Sequence, residues 1–395
     1  MERELEMKDV PRGINYCAVT VLSCLILSLF AFVGCGRSEP AHWSKAQRQI
    51  AEKDVLVGIS YFAGWWKPSP NKWEEPNGNL WLKTYPKREP LLGMYNDQET
   101  MDREIIAASD NGADFFAILW YYNDPGSERE PHSTLLNTGL DCFIKSPESG
   151  RMKFMIEFCN SPPYDVKTPD QWQDCMNTWI SAMRHPSYLR VDGKLVFKVH
   201  GAHYYYAQNN KDLSQCKAKL DELRERVRQA GLGEMLIGGG VSAIESIKAN
   251  DPIAQLFDFT GTYMDVPPHV QRPQNYPYEM LADFARTARR VHSYDAIPYM
   301  PYLAGSWNPR PWRDPRASFE FPTFSQWKEE LLCVRNDLIK YENLGLPLAG
   351  GAKQKMFTIY AWNEFGEGGI VAPTKGDGYM KIKAIKEIFG RNSSK

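Results

Sequence analysis

Two glutamates three positions apart, Glu364 and Glu367, sit in the stretch Trp362-Asn363-Glu364-Phe365-Gly366-Glu367-Gly368-Gly369, directly after an apolar run. Carboxylates at that spacing can lie on one side of a helical turn or a tight loop. Hydrolysis of a glycosidic bond usually needs two carboxyl groups, one to protonate the leaving oxygen and one to stabilise or attack the anomeric side. Close carboxylates also push their pKa values apart, which suits an acid and base pair. The plain alternative is a solvated acidic turn, so the pair needs a scaffold that aims it.

The sequence supplies such a scaffold. Short, nearly continuous apolar runs recur at 56–62, 114–120, 153–158, 195–200, 235–240, 257–263, 297–303 and 356–362, as expected of parallel strands buried on both faces. Amphipathic segments lie between them, at 99–111, 169–183, 213–230, 278–292 and 325–344. Pro169-Asp170-Gln171-Trp172 and Asp212-Leu213-Ser214-Gln215 read as helix starts, and Gly231 and Gly345 as stops. Eight strand and helix alternations predict a single (β/α)8 barrel, a TIM barrel, over residues 55–392. A doubly wound open sheet would carry a Gly-rich phosphate turn after the first strand, where this chain reads Ala63-Gly64-Trp65-Trp66-Lys67-Pro68. The first βα loop, 64–99, and the seventh, 304–325, are long and aromatic, and in a barrel both would wall a cleft at the C-terminal face.

On such a barrel the strand ends bring to one mouth Tyr61, Trp120, Tyr121, Tyr122, Glu157, Asn160, His200, His203, Tyr263, Asp265, Tyr302, Trp362, Asn363 and Glu364. Glu364 and Glu367 are the expected catalytic pair. Tyr61, Trp65, Trp66, Trp120, Tyr121, Glu157, His200, Tyr263, Asp265, Trp362 and Asn363 are expected to touch substrate. For Glu157 the competing role is a structural salt bridge, for Asp265 the shaping of its loop, and for the aromatics, Trp307 included, simple burial. His200 and His203 lack a third partner with metal-ligand spacing, so hydrogen bonds to substrate or carboxylates are expected of them and no metal.

Composition narrows the partner. A formal charge of -1 with interspersed signs offers no footprint for nucleic acid, whereas 12 Trp, 20 Tyr and 18 Phe suit a neutral glycan, because rings stack on the C–H faces of sugars. No cofactor is expected, and a monomer is. Cys142, Cys159, Cys175, Cys216 and Cys333 are widely spaced with no Cys-x-x-Cys, which argues for buried free thiols rather than disulfides or zinc.

The first 54 residues stand apart from the fold. An uncharged apolar run at 17–34 follows Lys8 and Arg12 and ends at Phe32-Val33-Gly34-Cys35. It resembles a bacterial lipoprotein signal at 1–35, with Cys35 lipidated and 36–54 a tether with an N-terminal helix. An uncleaved anchor is the competing reading. The acidic start Met1 to Glu6 suits a signal poorly, and Met7 is the better first residue. Either way the body is expected to be exported and held at a bacterial membrane, at the outer membrane, cell surface or periplasmic face.

Asn363-Glu364-Phe365-Gly366-Glu367-Gly368 resembles the Asn-Glu-Trp-x-Glu-Gly signature of glycoside hydrolase family 99 and the WbsX-like, family 99-like domains of polysaccharide gene clusters. Tyr61-Phe62-Ala63-Gly64-Trp65-Trp66, Leu92-Gly93-Met94-Tyr95-Asn96, Tyr188 to Val196 and Gly376-Asp377-Gly378-Tyr379 resemble further segments of these domains. The resemblance implies a (β/α)8 barrel and endo-acting, retaining cleavage of α-mannoside linkages. It implies that Glu364 deprotonates the sugar's own 2-hydroxyl to give a 1,2-anhydro sugar, and that Glu367 is the acid/base. Phe365 departs from the family's Trp. Two other functions fit a barrel of this kind: a glycan-binding lipoprotein that does not cleave, and an enzyme of polysaccharide assembly, although no phosphate loop or metal motif for a nucleotide-sugar donor is seen.

Overall fold

A computed structural model describes residues 55–123, 132–270 and 273–390. The expected lipoprotein signal with Cys35 and the expected tether at 36–54 lie outside the described residues.

The apolar runs form one parallel sheet that closes on itself. Its strands are β1 (Leu56–Tyr61), β2 (Phe115–Tyr121), β3 (Lys153–Cys159), β4 (Lys194–Val199), β5 (Met235–Gly240), β6 (Phe259–Gly261), β7 (Tyr299–Met300 continued by Tyr302–Ala304) and β8 (Met356–Tyr360). Closure passes through the two parts of β7. Tyr299 and Met300 pair with Thr260 and Gly261, whereas Tyr302, Leu303 and Ala304 pair with Thr358, Ile359 and Tyr360. Pro301, which has no N–H to give, divides the strand, and its carbonyl still accepts from Thr358 N at 2.9 Å. The sixth run is shorter than expected. Phe257 N bonds back to Ile253 O to close a helix, and the Asp258 carboxylate accepts from Ile237 N at 2.8 Å, so pairing starts at Phe259.

Helices α1 (Gln98–Ser109), α2 (Thr138–Lys145), α3 (Pro169–Met183), α4 (Ala202–Gln208), α5 (Leu213–Gln229), α6 (Pro252–Leu256), α7 (Tyr278–His292), α8 (Phe324–Lys340) and α9 (Met380–Phe389) fill the crossovers. Their starts follow local chemistry. Thr168 and Gln171 form a reciprocal capping box ahead of Pro169, and Asp212 accepts from the amides of Ser214 and Gln215. The helices α2, α4, α6 and α9 were not among the expected segments. All four have ten residues or fewer, and α9 follows the last strand.

Side-chain alternation along the strands decides what reaches the mouth. Ile59, Phe116, Ile118, Phe154, Ile156, Phe197, Ile237 and Phe357 point outward into the layer between sheet and helices. Phe115, Ala117, Met155, Val196, Leu236, Phe259, Met300 and Met356 point inward and plug the lower barrel. Continuing each strand by two-residue steps puts Glu157, Lys198 and Tyr360 inside, above that plug. The same steps put Tyr61 and Trp120 outside it.

The five described cysteines, Cys142, Cys159, Cys175, Cys216 and Cys333, are free thiols, all buried except the half-buried Cys142.

Candidate active site

Beyond β8 the chain does not enter a helix. Asn363 and Glu364 pair antiparallel with Ile370 and Gly369, making a hairpin whose turn is Phe365 to Gly368. Glu367 N and Gly368 N both bond to Glu364 O, at 3.1 and 2.8 Å, so the two glutamates stand on one tight turn at the C-terminal face. Each carboxylate receives a tyrosine hydroxyl. Tyr263, just past β6, donates to Glu364 Oε1 at 2.6 Å, and Tyr360, the last residue of β8, donates to Glu367 Oε2 at 2.5 Å. Gly369 permits the second bond, because a β-carbon there would lie 2.4 Å from the Tyr360 ring.

Glu364 is buried and Glu367 half-buried, and removal from water is the main cause that pushes both pKa values up. For Glu364 the neighbouring Glu367 adds to the rise, while the Tyr263 hydroxyl and Lys72 oppose it. For Glu367 the Tyr360 hydroxyl and Arg316 oppose it. Arg316 is itself held by Asp314 at 2.6 Å and lies over the Trp307 ring. Tyr263 and Tyr360 pack edge to face at 5.1 Å, and both hydroxyls are pushed well above the ordinary phenol range, first by burial and then by the two carboxylates. Protons therefore stay on the phenols.

A second charged group lies alongside. Glu157 Oε1 accepts from Lys198 Nζ at 2.9 Å and contacts His200 Nδ1 at 2.8 Å. Burial pushes the Glu157 carboxyl up, but Lys198 and His200 overcome it and hold it down at about 2. With Nδ1 engaged on Glu157, the His200 ring packs against Tyr263 at 4.9 Å, which links the Glu157 group to Glu364. Tyr121 joins from β2, its hydroxyl pushed well up first by burial, then by Cys159 and Glu364. Glu157, His200, Tyr121, Tyr263, Glu364 and Glu367 are thus brought together.

Other expected substrate contacts are placed elsewhere. Tyr61 is fully buried on the outer face of β1; it donates to Glu104 Oε2 at 2.7 Å and accepts from Asn96 Nδ2 at 2.6 Å. Glu104, raised to about 7 by burial against the opposing hydrogen bond of Tyr61, is the hub of that outer cluster. Trp362 packs on Phe116 at 5.4 Å in the same layer, and Trp120 packs on Trp179 and Phe158. Asn363 spends both ends of its amide on the backbone of Phe62, at 2.8 and 2.9 Å, so it clamps β1 to the hairpin. The Trp65 indole donates to Asn363 O at 2.8 Å and packs on Trp73 and Phe365, and the buried Trp66 donates to Pro70 O. Asp265 accepts from Ser242 Oγ and the amides of Ala243 and Val266, tying its loop to the end of β5. These residues build the walls and the frame.

Sequence reasoning missed Tyr360, Lys198 and Arg88. Counting alternate positions along β8 and β4 would have found the first two, since Tyr360 shares a face with Met356 and Lys198 with Val196. Arg88 lies in a short 3-10 turn of the first long loop, and no periodicity marks it. Its guanidinium donates to Phe365 O at 3.0 Å and to both oxygens of Asn308 at 2.9 Å, while Asn308 N donates to Glu367 O. The turn that carries Glu364 and Glu367 is therefore bolted to the first and seventh loops. Burial lowers Arg88 to about 10.

No protein-family model matches this sequence, and no curated protein matches it. Among solved structures, the chain is similar to the GH99 endo-alpha-mannosidase from Bacteroides thetaiotaomicron, with a TM-score of 0.53 and 13% identity over 86% of this chain and 100% of that one. A structure of the GH99 endo-alpha-mannosidase from that organism in complex with BIS-TRIS-propane gives 0.49 and 14%, covering 82% and 88% of the two chains. The GH26 beta-mannanase BoMan26A from Bacteroides ovatus gives 0.41 and 11%, covering 88% and 91%. The first of these likenesses establishes the shared barrel fold.

Proposed function

We propose that this chain is a family 99-like glycoside hydrolase, endo-acting and retaining, that cleaves α-mannoside or related linkages in a polysaccharide. The observation that carries the reading is the placed pair: a buried and a half-buried carboxylate, mutually interacting, on one turn at the barrel mouth, each capped by a different tyrosine. The likeness of the fold and the Asn-Glu-x-x-Glu-Gly stretch support the choice of family.

In the first step Glu364 takes the proton of the sugar's 2-hydroxyl while O2 attacks C1. The C1 bond to the leaving oxygen breaks, and Glu367 supplies that oxygen with a proton. In the second step Glu367 takes a proton from water as its oxygen attacks C1. The C1–O2 bond opens, and Glu364 returns its proton to O2. Two inversions at C1 give net retention, and the sum is hydrolysis. Raised carboxyl pKa values suit both roles, because Glu367 must start protonated and Glu364 must be basic enough to pull on an alcohol. Tyr263 steadies the developing proton transfer at Glu364, and Tyr360 holds Glu367 in one rotamer. His200 and Tyr121 are positioned to bind hydroxyls.

The 2-hydroxyl is the discriminating group. Substrates with 2-deoxymannose at the cleaved bond should bind but not react, whereas removal of a remote hydroxyl should be tolerated. Equal turnover of the 2-deoxy substrate would overturn the mechanism.

The run at 17–34 ending in Cys35 supports export and lipid anchoring of this enzyme at a bacterial membrane. Cys35→Ser should release the protein from the membrane fraction, and unchanged fractionation would reject the anchor.

A further inference from the structure

Among the described residues, tryptophan indoles are buried with one exception. Trp65, Trp66, Trp73, Trp81, Trp120, Trp172, Trp179, Trp307, Trp327 and Trp362 are each 6% exposed or less, whereas Trp312 is 37% exposed. It stands at the barrel mouth on the seventh βα loop. One side of its ring rests on the catalytic turn: a β-carbon on Gly366 would lie 2.1 Å from the ring, so only glycine lets the indole lie there. Trp65 supports it from within, at 6.3 Å.

Trp312 also lines a cleft of about 300 Å³ between the first and seventh loops, together with Lys72, Glu74, Glu75, Pro311 and Arg313. That volume is at the lower end of small-molecule sites, the size for one ring rather than a chain. The loops are tied together across it by Arg313 and Glu75 at 3.2 Å. The cleft communicates with the chemistry, because Lys72 acts electrostatically on Glu364. Its charges are two basic and two acidic, so the lining is balanced and favours a neutral ligand over an anionic one.

We propose that this cleft is a distal glycan subsite that takes one neutral pyranose ring, with Trp312 as its stacking platform. The inference rests on the glycoside hydrolase reading and names where the glycan continues beyond the cleaved bond. An indole face exposed beside paired charges matches the two surfaces of a pyranose, its apolar C–H face and its rim of hydroxyls.

The test measures binding of a ladder of neutral α-mannooligosaccharides of increasing length by calorimetry in Glu367→Gln protein, alone and with Trp312→Ala or Trp312→Phe, alongside cleavage by the unaltered enzyme. Trp312→Ala should weaken binding of the long members by roughly two- to tenfold and of the shortest by less, and Trp312→Phe should restore most of it. If the unaltered enzyme cleaves the ladder while both Trp312 variants bind every member like their parent, the subsite is wrong and the hydrolase stands. If the unaltered protein neither binds nor cleaves these or other glycans, both readings fall.

Discussion

Tyr263 Oη lies 2.6 Å from Glu364 Oε1, joining the end of the sixth strand to the turn after the eighth. This hydroxyl opposes the upward push of burial and of Glu367 on the Glu364 carboxyl. Tyr263→Phe should therefore raise that pKa further and leave less base form at any given pH. The acid limb of the kcat/KM profile should move to higher pH. Loss of a hydrogen bond to a charged group, about 1.5–3 kcal/mol, should lower kcat/KM roughly ten- to a hundredfold. An unmoved acid limb would contradict the assignment.

Glu157 carries the opposite sign. Its folded pKa of about 2 lies below the ordinary carboxylate value near 4.3, so its stabilisation is complete above that value and is lost as pH falls toward 2. Glu157→Gln should flatten that part of the acid unfolding curve. At neutral pH it leaves Lys198 buried without its carboxylate, a change expected to cost about 3–5 kcal/mol in denaturant unfolding.

Arg88 acts through backbone carbonyls on the Glu364–Glu367 turn and its neighbour Asn308. Arg88→Met removes charge-assisted bonds and strands buried oxygens, with an expected destabilisation of about 2–4 kcal/mol and a fall in kcat larger than any rise in KM. Arg88→Lys cannot span both Phe365 and Asn308 and should recover little. Steady-state kinetics at a temperature where the variants remain folded reads this out.

Stability and activity should conflict at Glu364. Its folded pKa is raised, so the fold favours the neutral acid, and the stability this brings is full below about 4.3 and lost as pH rises through the folded value. Glu364→Gln keeps a neutral acceptor for Tyr263 at every pH. The variant should melt above the parent at neutral pH, with the gap closing in acid; a lower Tm at neutral pH would go against the burial account.

Much of this site was legible in the order of residues. The strands and the main helices follow from apolar runs and caps, and a glutamate pair after the last strand was visible at once. The errors came from reading strand ends without their alternation. Tyr61 and Trp120 end apolar strands as Glu157 does, yet they share a face with Ile59 and Phe116, whereas Glu157 shares one with Met155. Asn363 was read by its chemical type, but its position against Phe62 commits its amide to backbone. The contribution of Arg88 spans more than 270 residues to Phe365, a distance over which no local pattern carries information.

The central claim, that Glu364 and Glu367 together cleave a glycan with retention, is tested most directly by proton NMR of the products released from α-mannans and bacterial exopolysaccharides. The unaltered protein should release reducing ends that first appear in the α configuration, and Glu364→Gln and Glu367→Gln, both folded, should each slow release by about a thousandfold or more. Reducing ends released equally by both variants, or a first product in the β configuration, would contradict it.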